Sequence, residues 1–219
     1  MKASLVKEMS VRGLPLMLNE FFWSLAIATL NQCYSTKGLD VVAALNISTT
    51  LTNVFNVVFL ALGMSISIVV GNQLGAGELK RARETDTKMI FLSLVSSVGI
   101  GILLMAAAPF IPRLYEINDT AREIATYMLI VSAMLMPVSS FANAAYFTLR
   151  SGGKVMITLL FDSVYMWVIA VPLAMVLTHF TDLNIYWLFL CCQSIEIIKC
   201  VFGFILVKKG NWVRQIVDA

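Results

Sequence analysis

Residues Val41 to Val70 read VVAALNISTTLTNVFNVVFLALGMSISIVV, thirty residues without a single charge. A helix rises about 1.5 Å per residue, so about 20 residues cross the ~30 Å hydrocarbon layer of a bilayer. This stretch exceeds that length. Five others meet it: Leu14–Thr36, Lys88–Ile111, Ile124–Leu149, Val155–Thr178 and Ile185–Val207. Short polar joints separate the six, which together take up about two-thirds of the chain. Backbone immersed in lipid must satisfy its own hydrogen bonds, so each stretch is predicted to be a helix. The fold class is an all-α integral membrane protein, a bundle of six transmembrane helices over residues 1–219.

Composition agrees. Hydrophobic residues make up 59% of the 219, charged residues 13%, and the mean hydropathy is +0.84. Soluble domains lie far from these values, and one of this length would lack the polar surface to cover so much apolar material. Residues 1–13 have no apolar core of signal-peptide type, and the first span is too long for one, so it is expected to stay as a helix. The net charge of +3 follows topology and points to no nucleic-acid partner. Lys2, Lys7, Arg12, Lys80, Arg81, Arg83, Lys88, Arg150, Lys154, Lys208, Lys209 and Arg214 fall on one side of the six spans. Only Lys37, Arg113 and Arg122 fall on the other, and Lys199 lies within a span. The positive-inside rule then places both termini of a multi-pass protein in the cytoplasm.

Several residue types that often carry chemistry read here as packing. Cys33, Cys191, Cys192 and Cys200 form no C-x-x-C pair and lie in or near the spans, as small apolar residues do. His179, the single histidine, sits at a helix end with no ligand-spaced partner, so no metal site is expected. Gly152-Gly153-Lys154 lacks the first glycine and the hydroxyl residue of a phosphate loop and reads as a tight turn. The chain shows no nucleophile–base set and no cofactor motif, which argues against an enzyme.

Function in a membrane protein concentrates on residues that lipid rejects, because a mid-membrane carboxylate costs about 3 kcal/mol on insertion scales. Glu20, Asp162, Glu196 and Lys199 bear that cost. Glu196 and Lys199 are three apart and are expected to pair on one helix face. Asp162 is expected to bond hydroxyls or backbone of a neighbouring helix. Glu20 has no cation within helical reach and continues through Ser24, Ile27, Asn31 and Ser35, with Asn19 and Trp23 flanking it. Either it exchanges protons or cations, or it is a hydrogen-bonded packing acid. Asn46, Thr49, Asn53 and Asn56 share one face of the second span. The fourth adds Ser139, Asn143 and Tyr146 after Pro137, which removes an internal bond and is expected to kink the helix. Polar faces on three helices point to a central cavity, or to interhelical hydrogen bonding alone.

Gly71-Asn72-Gln73-Leu74-Gly75-Ala76-Gly77-Glu78, followed by Lys80-Arg81-Ala82-Arg83, resembles the multidrug and toxic compound extrusion (MATE) family. So do Leu14-Pro15 through Asn19-Glu20-Phe21-Phe22-Trp23-Ser24, Leu149-Arg150-Ser151-Gly152-Gly153, and Asp162 through Trp167 to Val171-Pro172-Leu173. Order and spacing match the C-terminal six-helix half of a member over nearly the whole chain. The resemblance implies one lobe of a twelve-helix, two-lobe transporter in the bacterial cytoplasmic (plasma) membrane. It also implies efflux of bulky, often cationic organic compounds, driven by H⁺ or Na⁺ and needing no cofactor. The family's acid on the first helix of that lobe maps onto Glu20. The glycines Gly71, Gly75 and Gly77 would end the second helix in backbone conformations closed to other residues. The candidate ion-coupling and substrate residues are Glu20, Asn19, Trp23, Asn46, Asn53, Asn143, Tyr146, Asp162 and Glu196.

Two departures qualify this expectation. The N-terminal lobe is absent, so the lobe's partners would be the lipid bilayer, small organic cations, and a complementary N-lobe or second copy. Span four carries no acid where many bacterial members place an aspartate. That weakens a two-carboxylate Na⁺ site near Glu20 and tilts coupling toward H⁺. Two other readings stay open. One is a non-transporting fragment or membrane scaffold. The other is a lipid-linked oligosaccharide flippase, against which Lys199 stands as the single basic residue well inside a span.

Overall fold

A computed structural model describes residues 3–153 and 155–213, the side chains of 3–12 and 155 excepted. Lys2, Lys154 and Arg214, three of the charges behind the expected orientation, lie outside the described residues. The expected membrane bundle forms. Helix α1 spans Ala3–Ser35, α2 Leu39–Gly75, α3 Leu79–Ala107 and α4 Asp119–Ser151, with a 3₁₀ turn at Ile111–Leu114. The fifth span is composite: α5 (Val155–Leu159), π-helical segments at Leu160–Val164 and Met166–Ala170, then α6 (Val171–His179). Helix α7 spans Ile185–Lys209. Six helical runs among the described residues are long and apolar enough to cross a membrane.

Three boundaries differ from the sequence reading. Helix α3 starts nine residues before Lys88, so Lys80, Arg81 and Arg83 belong to its first turns rather than to a joint. Asp86 thereby enters the helix, where it is 1% exposed. Gly71 and Gly75 are helical members of α2, and only Gly77 adopts a left-handed backbone, with φ +77°. Helical hydrogen bonds carry on through Gly71 and Gly75, so the turn needs a single permissive residue. Gly153, with φ +67°, makes the expected tight turn after α4.

Helix α4 is the most buried span and packs against α2, α3 and α7; α1 is the least buried. At one end Asn118 caps α4, its Oδ1 accepting from the Ala121 N–H at 2.8 Å. Its Nδ2 donates to Asp40 Oδ1 at 2.7 Å, so the starts of α4 and α2 are tied by one side chain. At the other end the chain turns back after α7 through Gly210, and Trp212 is buried against Gly152 beside Leu74, Phe147 and Leu149. Cys33 and Cys192 pack with Tyr34 and Phe189 in the core, whereas Cys191 is exposed.

Lipid tails are as apolar as the helices, so close packing and interhelical hydrogen bonds must hold the bundle together. Small residues provide both. Ser93 and Ser140 meet across α3 and α4 at 2.8 Å, and Thr148 donates to Asp86 Oδ1 at 2.6 Å. A Cβ on Gly63 of α2 would lie 2.3 Å from the Phe147 ring. Helix α4 continues through Pro137 without ending. Pro137 has no N–H to offer the carbonyl four residues back, that of Ala133. Gly101 of α3 packs on this same oxygen, so closely that a Cβ would sit 2.8 Å from it.

Gly99 and Gly101 therefore respond oppositely to the same change. Gly99 has nothing within 4 Å of a Cβ. Gly99→Ala should stabilise by up to about 1 kcal/mol through helix propensity. Gly101→Ala should destabilise by about 1–3 kcal/mol, because backbone must shift to make room. Unfolding midpoints of the two variants in detergent check this pair of signs.

Candidate functional site

Helix α1 carries polar residues on two faces, and they have different environments. The inner face holds Asn19, 2% exposed. Its Nδ2 donates to Tyr146 Oη and to Asp162 Oδ2, each at 3.3 Å. The Ser163 hydroxyl lies 2.7 Å from both the carbonyl oxygen and the Oδ1 of Asn19, sharing one proton between them. One turn on, the Trp167 indole N–H donates to the Phe22 carbonyl at 2.9 Å. The fifth span thus grips α1 on either side of Glu20 from behind. Asp162 and Ser163 sit in the first π segment and Trp167 in the second. A π turn holds an extra residue and re-aims the side chains around it, which is why such turns recur at functional sites.

Asp162 is also half of an ion pair. Lys199 Nζ donates to its Oδ1 at 2.7 Å, with the two side chains only 10% and 14% exposed. The ammonium lies 5.4 Å from the centroid of the Phe161 ring. The expected Glu196–Lys199 pair does not form. Residues three apart on a helix point about 60° apart around its axis. Lys199 turns to the fifth span, whereas Glu196 turns to α4 and accepts from Ser139 Oγ at 3.3 Å. Exposed pairs such as Arg81–Glu78 contribute about 0–1 kcal/mol, but breaking a buried pair costs about 3–5 kcal/mol. The Asp162–Lys199 pair is the one whose loss the bundle would feel.

The outer face of α1 presents Glu20, Ser24, Asn31 and Ser35, all exposed. Among the described residues Glu20 has no hydrogen-bond or ion-pair partner. Asn46, Thr49 and Asn53 of α2 are likewise exposed, and Asn56 is half-buried. Between the two helices lies an open cleft of about 430 Å³, lined by Asn31, Gln32, Ser35, Asn46, Thr49 and Thr50. Its hydrogen-bonding side chains are all uncharged. Trp23 is exposed close to Glu20, as are Phe21 and Phe22, whose rings meet edge to face at 5.6 Å.

Of the residues singled out from the sequence, the structure brings together Asn19, Tyr146 and Asp162. It leaves Glu20, Trp23, Asn46 and Asn53 on the outside of the bundle. Asn143 is half-buried, and Tyr146 lies within electrostatic reach of Glu20, Asp162 and Arg150. Sequence reasoning missed Ser163, Asp86 and the partner of Lys199. Two lone opposite charges in neighbouring spans were the available signal for the last, since buried charges come in pairs.

Against this geometry, the model of the MatE family matches residues 15–176. The chain belongs to the MatE family. Curated MatE relatives include a probable multidrug resistance protein NorM of Oceanobacillus iheyensis, 24% identical over 80% of this chain and 40% of its own length. Another, of Bacillus cereus, is 25% identical over 92% of this chain and 44% of its own length. The solved inward-facing conformation of a multidrug resistance MATE family transporter of the MOP superfamily superposes with a TM-score of 0.83 at 17% identity. It covers 100% of this chain and 51% of that one. The MatE fold of one lobe is thereby shown, and its family is non-enzymatic. The chain spans about two-fifths of the length of the curated relatives it matches.

Asn19→Ala removes the carboxamide bonds to Asp162, Tyr146 and Ser163 and leaves the Ser163 hydroxyl only the Asn19 carbonyl. The unmatched buried groups should lower stability by about 1–3 kcal/mol. Amide hydrogen exchange should accelerate along α1 while the α3–α4 pair stays protected. Wild-type protection along α1 in the variant would show that the carboxamide is not what holds this helix.

Proposed function

We propose that this chain is the C-terminal lobe of an alternating-access antiporter that exports bulky, often cationic organic compounds across the plasma membrane. Glu20 carries the proposal: a carboxylate within a membrane span, exposed beside a polar face and without a partner among the described residues. The second lobe of a twelve-helix transporter would cover the α1–α2 face and turn it into a cavity wall. That lobe is a complementary six-helix unit or a second copy. The charge asymmetry favours termini in the cytoplasm.

Glu20 serves as the coupling acid in this reading. A carboxylate that has taken a proton, or holds Na⁺, no longer attracts an organic cation. Proton and cargo therefore compete for it, and the two loaded forms favour different arrangements of α1 and α2. Only such differential affinity lets an ion gradient drive export. The fourth span lacks a second carboxylate, which favours H⁺. Trp23 offers a cation–π face beside the acid. Asn46 and Asn53 present amides to cargo without adding charge. Lys199, turned inward onto Asp162, puts no cation on this face, which speaks against a pocket built to bind pyrophosphate.

The test is efflux of a fluorescent organic cation from cells expressing this chain together with a complementary lobe, under imposed pH and Na⁺ gradients. Glu20→Gln should reduce gradient-driven export to background at equal expression, and export should follow the pH gradient. Unchanged export by the variant would make Glu20 structural and overturn the coupling role.

A further inference from the structure

We propose that Lys199 is a tethered cation: its ammonium fills a carboxylate site inside the lobe that a small monovalent cation such as Na⁺ takes up once the lysine is removed. The site is built around Asp162. Its Oδ1 accepts from Lys199 Nζ at 2.7 Å and its Oδ2 from Asn19 Nδ2 at 3.3 Å. The hydroxyls of Tyr146 and Ser163 belong to the same bonded cluster through Asn19. Phe161 adds a ring face to the ammonium. Of these groups the Asp162 carboxylate is the one bonded to the ammonium, and a desolvated carboxylate oxygen is the hard donor that a hard cation takes.

The resident cation cannot exchange, because it is part of α7. Lys199 is 8% exposed, and Gly203, one turn further along the same face, seats the helix against its neighbours. A Cβ at Gly203 would lie 3.1 Å from both Ala145 and Phe161. Glu196 also acts on the ammonium through its charge, but it makes no ion pair with Lys199 among the described residues and accepts instead from Ser139 on α4. The Asp162 carboxylate is thus neutralised by a cation that the chain itself supplies, and this part of the lobe should be indifferent to the ions in solution. A lipid-embedded carboxylate stripped of its lysine must instead recruit a counter-ion or lose its charge.

The experiment measures the thermal unfolding midpoint of the chain purified from membranes in detergent, in Na⁺ or choline at equal ionic strength. Wild type and Lys199→Arg should give the same midpoint in both salts. Lys199→Met should unfold earlier in choline and shift upward with Na⁺, and adding Asp162→Asn should abolish that shift. Where Lys199→Met does not survive in choline, the yield of folded protein in the two salts becomes the reading. Equal midpoints or equal yields in both salts would overturn the proposal. So would a Na⁺ shift in wild type that Asp162→Asn removes. Glu20→Gln should leave the response of Lys199→Met intact, and its loss there would assign the ion to Glu20 instead. The readout is stability, so it stands or falls separately from export.

Discussion

The carboxamide of Asn19 holds the least buried helix of the bundle to the rest of it. Hydrophobic burial cannot do this in a bilayer, because α1 gains nothing by exchanging lipid for leucine. What remains is close packing at Ala26, Cys33 and Tyr34 and a handful of hydrogen bonds, which cluster where Asn19 meets the fifth span and α4. The two π segments aim Asp162, Ser163 and Trp167 at α1 together. Glu20 is the neighbour of the anchoring residue, so its position on the outer face is fixed by contacts made on the opposite face.

This arrangement separates matched from unmatched charge. Asp162 and Lys199 neutralise each other within the bundle, and Glu196 finds a hydroxyl. Asp86 is buried at the α3–α4 seam with the hydroxyl of Thr148 on its Oδ1. Glu20 is presented outward on the helix that further along lines a cleft whose polar groups are all uncharged. In the proposed role, a cation arriving at this face would meet one negative group and, further along, hydrogen-bonding ones. Electrostatic attraction would then be concentrated at one point on α1, with uncharged amides and hydroxyls left to accommodate shape.

Much of the fold was legible from hydropathy because the bilayer leaves the backbone so few choices. Val41–Val70 could be nothing but a helix. The lone character of Glu20, the shared face of Asn46, Thr49 and Asn53, and the Gly153 turn were also readable from spacing. What escaped were interactions that depend on how helices rotate against one another. A separation of three residues permits a Glu196–Lys199 contact but does not require it. The choice fell to Asp162 because Gly203 brings α7 close to the fifth span. Asp86 was hidden for a simpler reason. The basic run before it looked like a joint, whereas a helix end can carry lysines and arginines whose long stems lie along apolar surface. The π segments have no sequence signature that hydropathy would reveal.

Trp212 has a consequence for how such a lobe is made. The core at the end of the bundle carrying the α2–α3 and α4–α5 turns is assembled from Leu74, Ala82, Phe147 and Leu149, with the indole of Trp212 set among them. Those partners are synthesised long before it. While α7 is still emerging from the ribosome, the earlier helices already lie in the bilayer with that end of their core open. Closure waits for one residue beyond the last span, so this end of the lobe acquires its final packing only after α7 has been made rather than helix by helix.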